Sequence, residues 1–120
     1  MLRGVRVSKI GEKMTCTIWS GYMPGIYIGA LKRRRHFSEE IKVIIIEIEG
    51  QDCFTTLTPS FWNQCPEIRV ARSRNGFNVL LHWIRKHSLQ PPTRSLYEKG
   101  KKDTVTLEVV EPYRKFRLNL

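Results

Sequence analysis

The residues with the clearest potential for chemistry are four consecutive cations and the histidine that follows them: Lys32, Arg33, Arg34, Arg35 and His36. Adjacent like charges repel each other by roughly 1 kcal/mol per close pair in water, so such a run must face solvent or opposite charge. Phosphate groups neutralise cations and release counterions, which makes contact favourable. The run therefore predicts a phosphate-contacting loop after a strand over residues 26–31. The alternative is a solvated loop whose charge is balanced by Glu39 and Glu40.

A second group of basic side chains begins between two predicted helices, continues on the polar face of the second helix and ends in a polar loop. Its members are Arg69, Arg72, Arg74, His82, Arg85, Lys86, Lys101 and Lys102. A helix with a cationic outer face can lie along a phosphate backbone or enter a groove. Any surface helix also needs a polar face, so the pattern alone is not specific. We predict that both groups contact the phosphates of DNA or RNA.

Catalysis is the weaker interpretation of these side chains. His82 next to Arg85 and Lys86 could act as a general base beside phosphate-stabilising cations, as in a small nuclease. Histidines on surface helices are more often inert, so we assign no catalytic residue. The cysteines Cys16, Cys53 and Cys65 have no metal-ligand spacing, and we expect no metal or cofactor. We predict that they are small buried side chains in a cytoplasmic protein.

The distribution of charge suggests a rival function. The net charge is +10, and it comes in blocks: +7 over residues 1–37, −5 over 38–67, +8 over 68–102 and zero over 103–120. A protein with basic and acidic regions can bind an unlike acidic partner or a second copy of itself. A protein-interaction module is therefore the alternative to nucleic-acid binding. We expect no membrane partner, since the longest apolar run, Val43–Ile46, is too short to cross a bilayer.

The elements that must position these residues follow from the periodicity of apolar side chains. Residues 1–120 fit one basic domain. Alternating patterns predict strands at residues 14–19, 26–31, 42–49, 53–57, 105–109 and 116–120. Thr58 before Pro59 predicts a helix start, and apolar spacing predicts a second helix from Phe77 to His87.

Strands, then helices, then strands are typical of an antiparallel α+β fold. We predict a curved or barrel-like antiparallel sheet of about six or seven strands, with two helices inserted between strands 5 and 6. Trp19 lies on the threonine side of its strand and is predicted to be exposed, whereas Trp62 and Trp83 are predicted to be in the core. Exposed aromatic rings near cations are relevant because unpaired bases stack on them.

Overall fold

The computed structural model describes residues 7–20, 23–90 and 103–120. Within these ranges the chain forms seven strands and three short helices. In chain order they are β1 (Lys13–Ser20), β2 (Pro24–Tyr27), α1 (Ala30–His36), β3 (Val43–Ile48), β4 (Gln51–Thr56), α2 (Pro59–Asn63), β5 (Glu67–Ile68), α3 (Val79–Lys86), β6 (Thr104–Glu111) and β7 (Lys115–Asn119). None of the helices in the described part of the chain is long and apolar enough to cross a membrane.

The strands form one mixed sheet in the order β4-β3-β7-β6-β1-β2-β5, which curves into a half-barrel. β3 and β7 are parallel, with Ile46 opposite Phe116, and the other neighbouring strands are antiparallel. The prediction of an antiparallel sheet is therefore wrong. Alternation of side chains identifies the buried face of a strand but not the direction of its neighbour. The parallel pair joins segments that are distant in sequence, and no local pattern specifies it.

The predicted position of the helices is also wrong. Among the described residues, α3 alone lies between β5 and β6, while α2 lies between β4 and β5. The two-residue strand β5 separates these helices, and it exists because Ile68 pairs with Ile26 of β2. A strand this short has too few residues to show an alternating pattern, so tertiary pairing determines it.

The basic run lies in a helix and not in a loop. The predicted strand over residues 26–31 ends at Tyr27, and α1 begins at Ala30. Ala30, Leu31 and the cations that follow are good helix formers, and none is β-branched. The last turn of α1 is basic, which complements the partial negative charge at a helix C-terminus.

The interior of the half-barrel contains one face of each long strand. The isoleucines Ile44, Ile46 and Ile48 of β3 are buried, as are the alternate residues of β1, β6 and β7. Phe37, which follows α1, packs between the rings of Phe61 and Phe116, with centroids at 5.3 and 4.9 Å. The strand registers place α1, α2 and the β6–β7 turn at one end of the half-barrel and α3 with the β3–β4 turn at the other. We call these the α1–α2 end and the α3 end.

The two edges of the sheet, β4 and β5, approach each other along one side of the molecule. The backbones of Phe54 and Arg72 exchange hydrogen bonds of 2.8 and 2.9 Å, and Thr55 Oγ1 donates to the Val70 carbonyl oxygen at 2.9 Å. Closer to α2 the edges separate. We call this side, formed by residues 54–57 and 67–72, the seam. β6 and β7 are in the middle of the strand order and therefore lie opposite it.

Candidate functional site

The seam contains a cleft of about 640 Å³, where β4 and β5 diverge around α2. The Thr58 side chain caps α2 by accepting a hydrogen bond from the Phe61 backbone N–H, as the sequence predicts. Hydroxyl, amide and thiol groups line the cleft together with two arginines, Arg69 and Arg72.

Cys65 is exposed at this cleft, so its predicted burial is wrong, while Cys16 and Cys53 are buried. The break in α2 before Pro66 turns Cys65 away from the core.

The cations of α1 are largely held by contacts to the protein itself. Lys32 Nζ donates to the Thr15 carbonyl oxygen at 2.6 Å, and Arg35 forms an ion pair with Glu12. This Arg35 hydrogen bond holds the pKa of the Glu12 carboxyl below its ordinary value. Arg34 is exposed, and no described residue pairs with its side chain. One hydrogen bond to a carbonyl oxygen, one ion pair and one exposed side chain thus explain how the run fits on one short helix.

Arg33 connects α1 to the seam. Its Nη1 donates to the Phe61 carbonyl oxygen at 2.7 Å, and its guanidinium lies 5.9 Å from the centroid of the Trp62 ring. Phe61 also lines the seam cleft. Arg33 therefore lies beside the cleft at the α1–α2 end.

The arginines that follow β5 lie along the seam itself. Arg69 forms an ion pair with Glu67, with Nε and Oε1 at 2.9 Å, and Arg72 Nη1 donates to the Gly76 carbonyl oxygen at 2.9 Å. Arg74 is exposed on the turn beyond Arg72, and none of the described side chains forms an ion pair with it. The segment predicted to link the two helices thus carries a row of arginines that begins directly after β5.

The α3 end of the seam carries a second cleft, of about 350 Å³. His82 and Lys86, one helical turn apart on α3, line it with Glu49 of the β3–β4 turn. Lys86 Nζ and His87 Nε2 contact the Glu49 carboxylate at 3.0 and 3.2 Å, and the hydrogen bond from Lys86 is the main cause that lowers the pKa of Glu49. Arg85 is exposed on the same helix.

Folding brings most of the predicted basic residues to the seam or to its two ends. Arg33 lies beside the seam cleft and Arg69 and Arg72 line it, Arg74 is on the turn beyond Arg72, and His82, Arg85 and Lys86 are on α3. Lys32, Arg34 and Arg35 are on α1 at the α1–α2 end but are not linked to the seam by a contact. Lys101 and Lys102 lie outside the described residues.

The acidic block of the sequence does not form an uncompensated acidic surface. Glu47 forms an ion pair with Arg117, Asp52 with Lys115 at 3.2 Å, and Glu49 with Lys86. These pairs join residues from different blocks of the sequence, because β7 and α3 pack against β3. Much of the negative charge is therefore neutralised within the fold.

Two exposed aromatic rings were only partly anticipated from the sequence. Trp19 is 44% exposed, as its position on the threonine side of β1 predicts, and Trp83 is buried. Tyr27 is 41% exposed, and its ring centroid lies 6.0 Å from that of Trp19. The pairing of β1 with β2 brings the two rings together. The sequence indicates the exposure of a ring only through the alternation of apolar and polar residues along its strand.

The chain has no recognisable relatives in three kinds of comparison: no protein-family model, no curated protein and no solved structure matches it. Across residues 7–20, 23–90 and 103–120, no group of three or more His, Cys, Asp or Glu side chains is arranged to hold a metal ion. The geometry of the seam is therefore the feature that bears on function.

Proposed function

We propose that this chain is a nucleic-acid-binding domain without catalytic activity, and that it contacts phosphates along the seam. The observation that carries this proposal is the row of arginines from Arg33 through Arg69 and Arg72 to Arg74. It joins two basic blocks that an acidic block separates in the sequence. Arginine suits phosphate contact because its planar guanidinium donates to two oxygens at once.

The charge balance around the half-barrel supports this location. On the side opposite the seam, the cations Lys115 and Arg117 are paired with acids of β3 and β4. At the seam and its α3 end, Arg69 and Lys86 are also paired, with Glu67 and Glu49, but the side chains of Arg74 and Arg85 have no partner among the described residues. A polyanion binds most favourably where the positive charge of the protein is not already neutralised. We place this activity in the cytoplasm, since the exposed free thiol of Cys65 suits a reducing compartment.

A salt titration tests the proposal. Fluorescence anisotropy of labelled, mixed-sequence DNA and RNA is measured with the wild-type protein at increasing potassium chloride. Phosphate contacts predict an affinity whose logarithm falls linearly with the logarithm of salt concentration. Undetectable binding at low salt, or affinity that is insensitive to salt, would overturn the proposal.

A small nuclease is a second candidate, because one cleft brings His82, Lys86 and Glu49 together. A general base and a phosphate-stabilising cation are groups that RNA cleavage can use. Glu49 is engaged by Lys86 and His87, which favours a structural role for this carboxylate. The test is to incubate labelled RNA with the wild type and with a His82→Ala variant. A nuclease would degrade the RNA only as the wild type, and RNA that stays intact with both proteins rejects this candidate.

The protein-interaction alternative rested on separate basic and acidic surfaces. The ion pairs of Glu47, Glu49 and Asp52 weaken that basis, because they neutralise three carboxylates of the acidic block. Head-to-tail association of two copies would be visible as a concentration-dependent increase in mass at low salt. A monomer in light scattering at all concentrations would argue against it.

A further inference from the structure

The outer face of β1 and β2 combines two features that are unusual on a protein surface. Trp19 and Tyr27 expose 44% and 41% of their surfaces, although large aromatic side chains are usually mostly buried. Their rings form a tilted pair with centroids 6.0 Å apart and an interplanar angle of 44°. Both are held on a sheet, since β1 and β2 pair from Thr17–Tyr27 to Ser20–Pro24. The paired strands therefore place both rings at the surface of the sheet.

A shallow cleft of about 320 Å³ lies beside the Tyr27 ring. Thr15 and Thr17 of β1 form one wall, and Leu31 and Lys32 of α1 form another. Gly29 allows the chain to turn sharply from β2 into α1, with φ of +91°, and leaves space next to the ring. The cleft is thus bounded by an aromatic face, hydroxyl groups and an ammonium group.

Cations flank the aromatic pair on the same side of the sheet. Lys13 is exposed on β1, and Lys32 Nζ is fixed at Thr15, roughly 13 Å along the strand from Trp19. Arg69, which follows β5, lies over Gly25, where a Cβ would come within 2.9 Å of the Arg69 Cγ. Gly25 pairs with Trp19, so Arg69 and Trp19 are near neighbours across three strands.

We propose that this face, with Trp19 and Tyr27 as stacking rings and Lys32 as a phosphate contact, binds unpaired nucleobases. The inference rests on the proposed function and narrows its ligand to a strand with bases free to stack. Every base has an aromatic face that can stack on Trp or Tyr, and positive charge beside the rings neutralises the connecting phosphates. In a duplex the base faces are covered by their neighbours, so the rings would contribute little.

The test compares two probes: a labelled oligothymidylate strand and a blunt-ended duplex of the same length. Wild-type protein is expected to prefer the single strand. Trp19→Ala should weaken binding of the strand at least about five-fold and leave binding of the duplex unchanged. Trp19→Phe retains a ring and should recover most of the affinity. Val43→Ala, which changes an exposed apolar side chain on β3, is the control and should have no effect.

Tryptophan fluorescence gives a second readout. Trp83 is buried and Trp62 is half-buried, so Trp19 is the tryptophan most accessible to a stacked base. Stacking should quench the emission of the wild type when the strand is added, and the quenching should be lost in Trp19→Phe.

Two results separate the inference from the function on which it rests. Salt-dependent binding of both probes with no effect of Trp19→Ala would overturn the stacking face and leave phosphate binding intact. Failure of the wild type to bind either probe would overturn both.

Discussion

Arg33 of α1 donates a hydrogen bond of 2.7 Å to the carbonyl oxygen of Phe61 in α2. This contact joins the basic helix to the cleft in the seam, which Phe61 lines. The bond leaves the guanidinium charge uncompensated, because a carbonyl oxygen is a neutral acceptor. Arg72 likewise donates to a neutral carbonyl oxygen, whereas Arg69 is paired with Glu67, so Arg33 and Arg72 are the arginines that leave this side of the half-barrel basic.

The arginines at the seam should determine the salt dependence of binding. We expect the double variant Arg72→Gln and Arg74→Gln to reduce the slope of log affinity against log salt by about two, one unit for each lost phosphate contact. Arg114→Gln is the control, because Arg114 is an exposed arginine on the turn that joins β6 and β7, the strands opposite the seam. Anisotropy titrations at several salt concentrations measure all three slopes. Equal slopes for the double variant and the control would place the contacts elsewhere.

Close packing of β5 on β2 should make Gly25 sensitive to substitution. A Cβ at Gly25 would lie 2.7 Å from the Ile68 carbonyl oxygen, so backbone must shift to accommodate it. We expect Gly25→Ala to lower the free energy of unfolding by about 1–3 kcal/mol, as overpacked positions do. Urea denaturation measures the change. Lys13→Ala, at an exposed position of β1, should alter stability by less than about 0.5 kcal/mol. A neutral effect of Gly25→Ala would contradict this packing.

The buried His36 should make stability depend on pH. Its Nδ1 is 2.8 Å from Ser8 Oγ, and burial is the main cause that lowers the pKa of His36 below its ordinary value of 6.5; Arg35 acts in the same direction and Glu12 opposes it. The unfolded chain therefore takes up a proton more readily than the folded one. The stabilisation from neutral His36 is complete above pH 6.5 and is lost as pH falls from there towards the lowered pKa.

A His36→Gln variant separates this effect from that of other titrating groups. Wild-type stability should fall between about pH 7.5 and pH 5.5, and the fall should be smaller in the variant. Urea unfolding at both pH values gives the change in the free energy of unfolding for each protein. The contributions of all groups other than His36 are common to both proteins and cancel. The same pH dependence in both proteins would show that burial of His36 is not its cause.

The sequence was sufficient to predict features that depend on neighbouring residues. Thr58 and Pro59 marked the start of α2, and the alternation of Ile44, Ile46 and Ile48 identified the buried face of β3. The exposure of Trp19 followed from the same rule. Each of these depends on one strand or one helical turn.

Features that depend on pairing of distant segments were not predictable. The parallel pair of β3 with β7, the two-residue β5 and the bridge between Phe54 and Arg72 are set by tertiary contacts. The seam is a product of these contacts, and so is the row of arginines. The sequence identified the basic residues but could not determine that Arg33 and Arg72 lie along the same side.

Chemical labelling of Cys65 tests the central claim most directly. Cys65 is the exposed thiol at the seam cleft, whereas burial raises the pKa of Cys16 to about 12 and also raises that of Cys53. In the native protein one thiol should react rapidly with a disulfide reagent, and urea should expose all three. A Cys65→Ser, Arg114→Cys variant provides the control, with its accessible thiol opposite the seam.

The decisive measurement is the rate of this labelling with and without saturating nucleic acid at low salt. If a phosphate backbone occupies the seam, labelling of Cys65 should slow several-fold and recover at high salt. Labelling at the control position should be unchanged. If Cys65 reacts at its original rate while anisotropy reports full binding, the nucleic acid does not occupy the seam, which contradicts the proposed binding site.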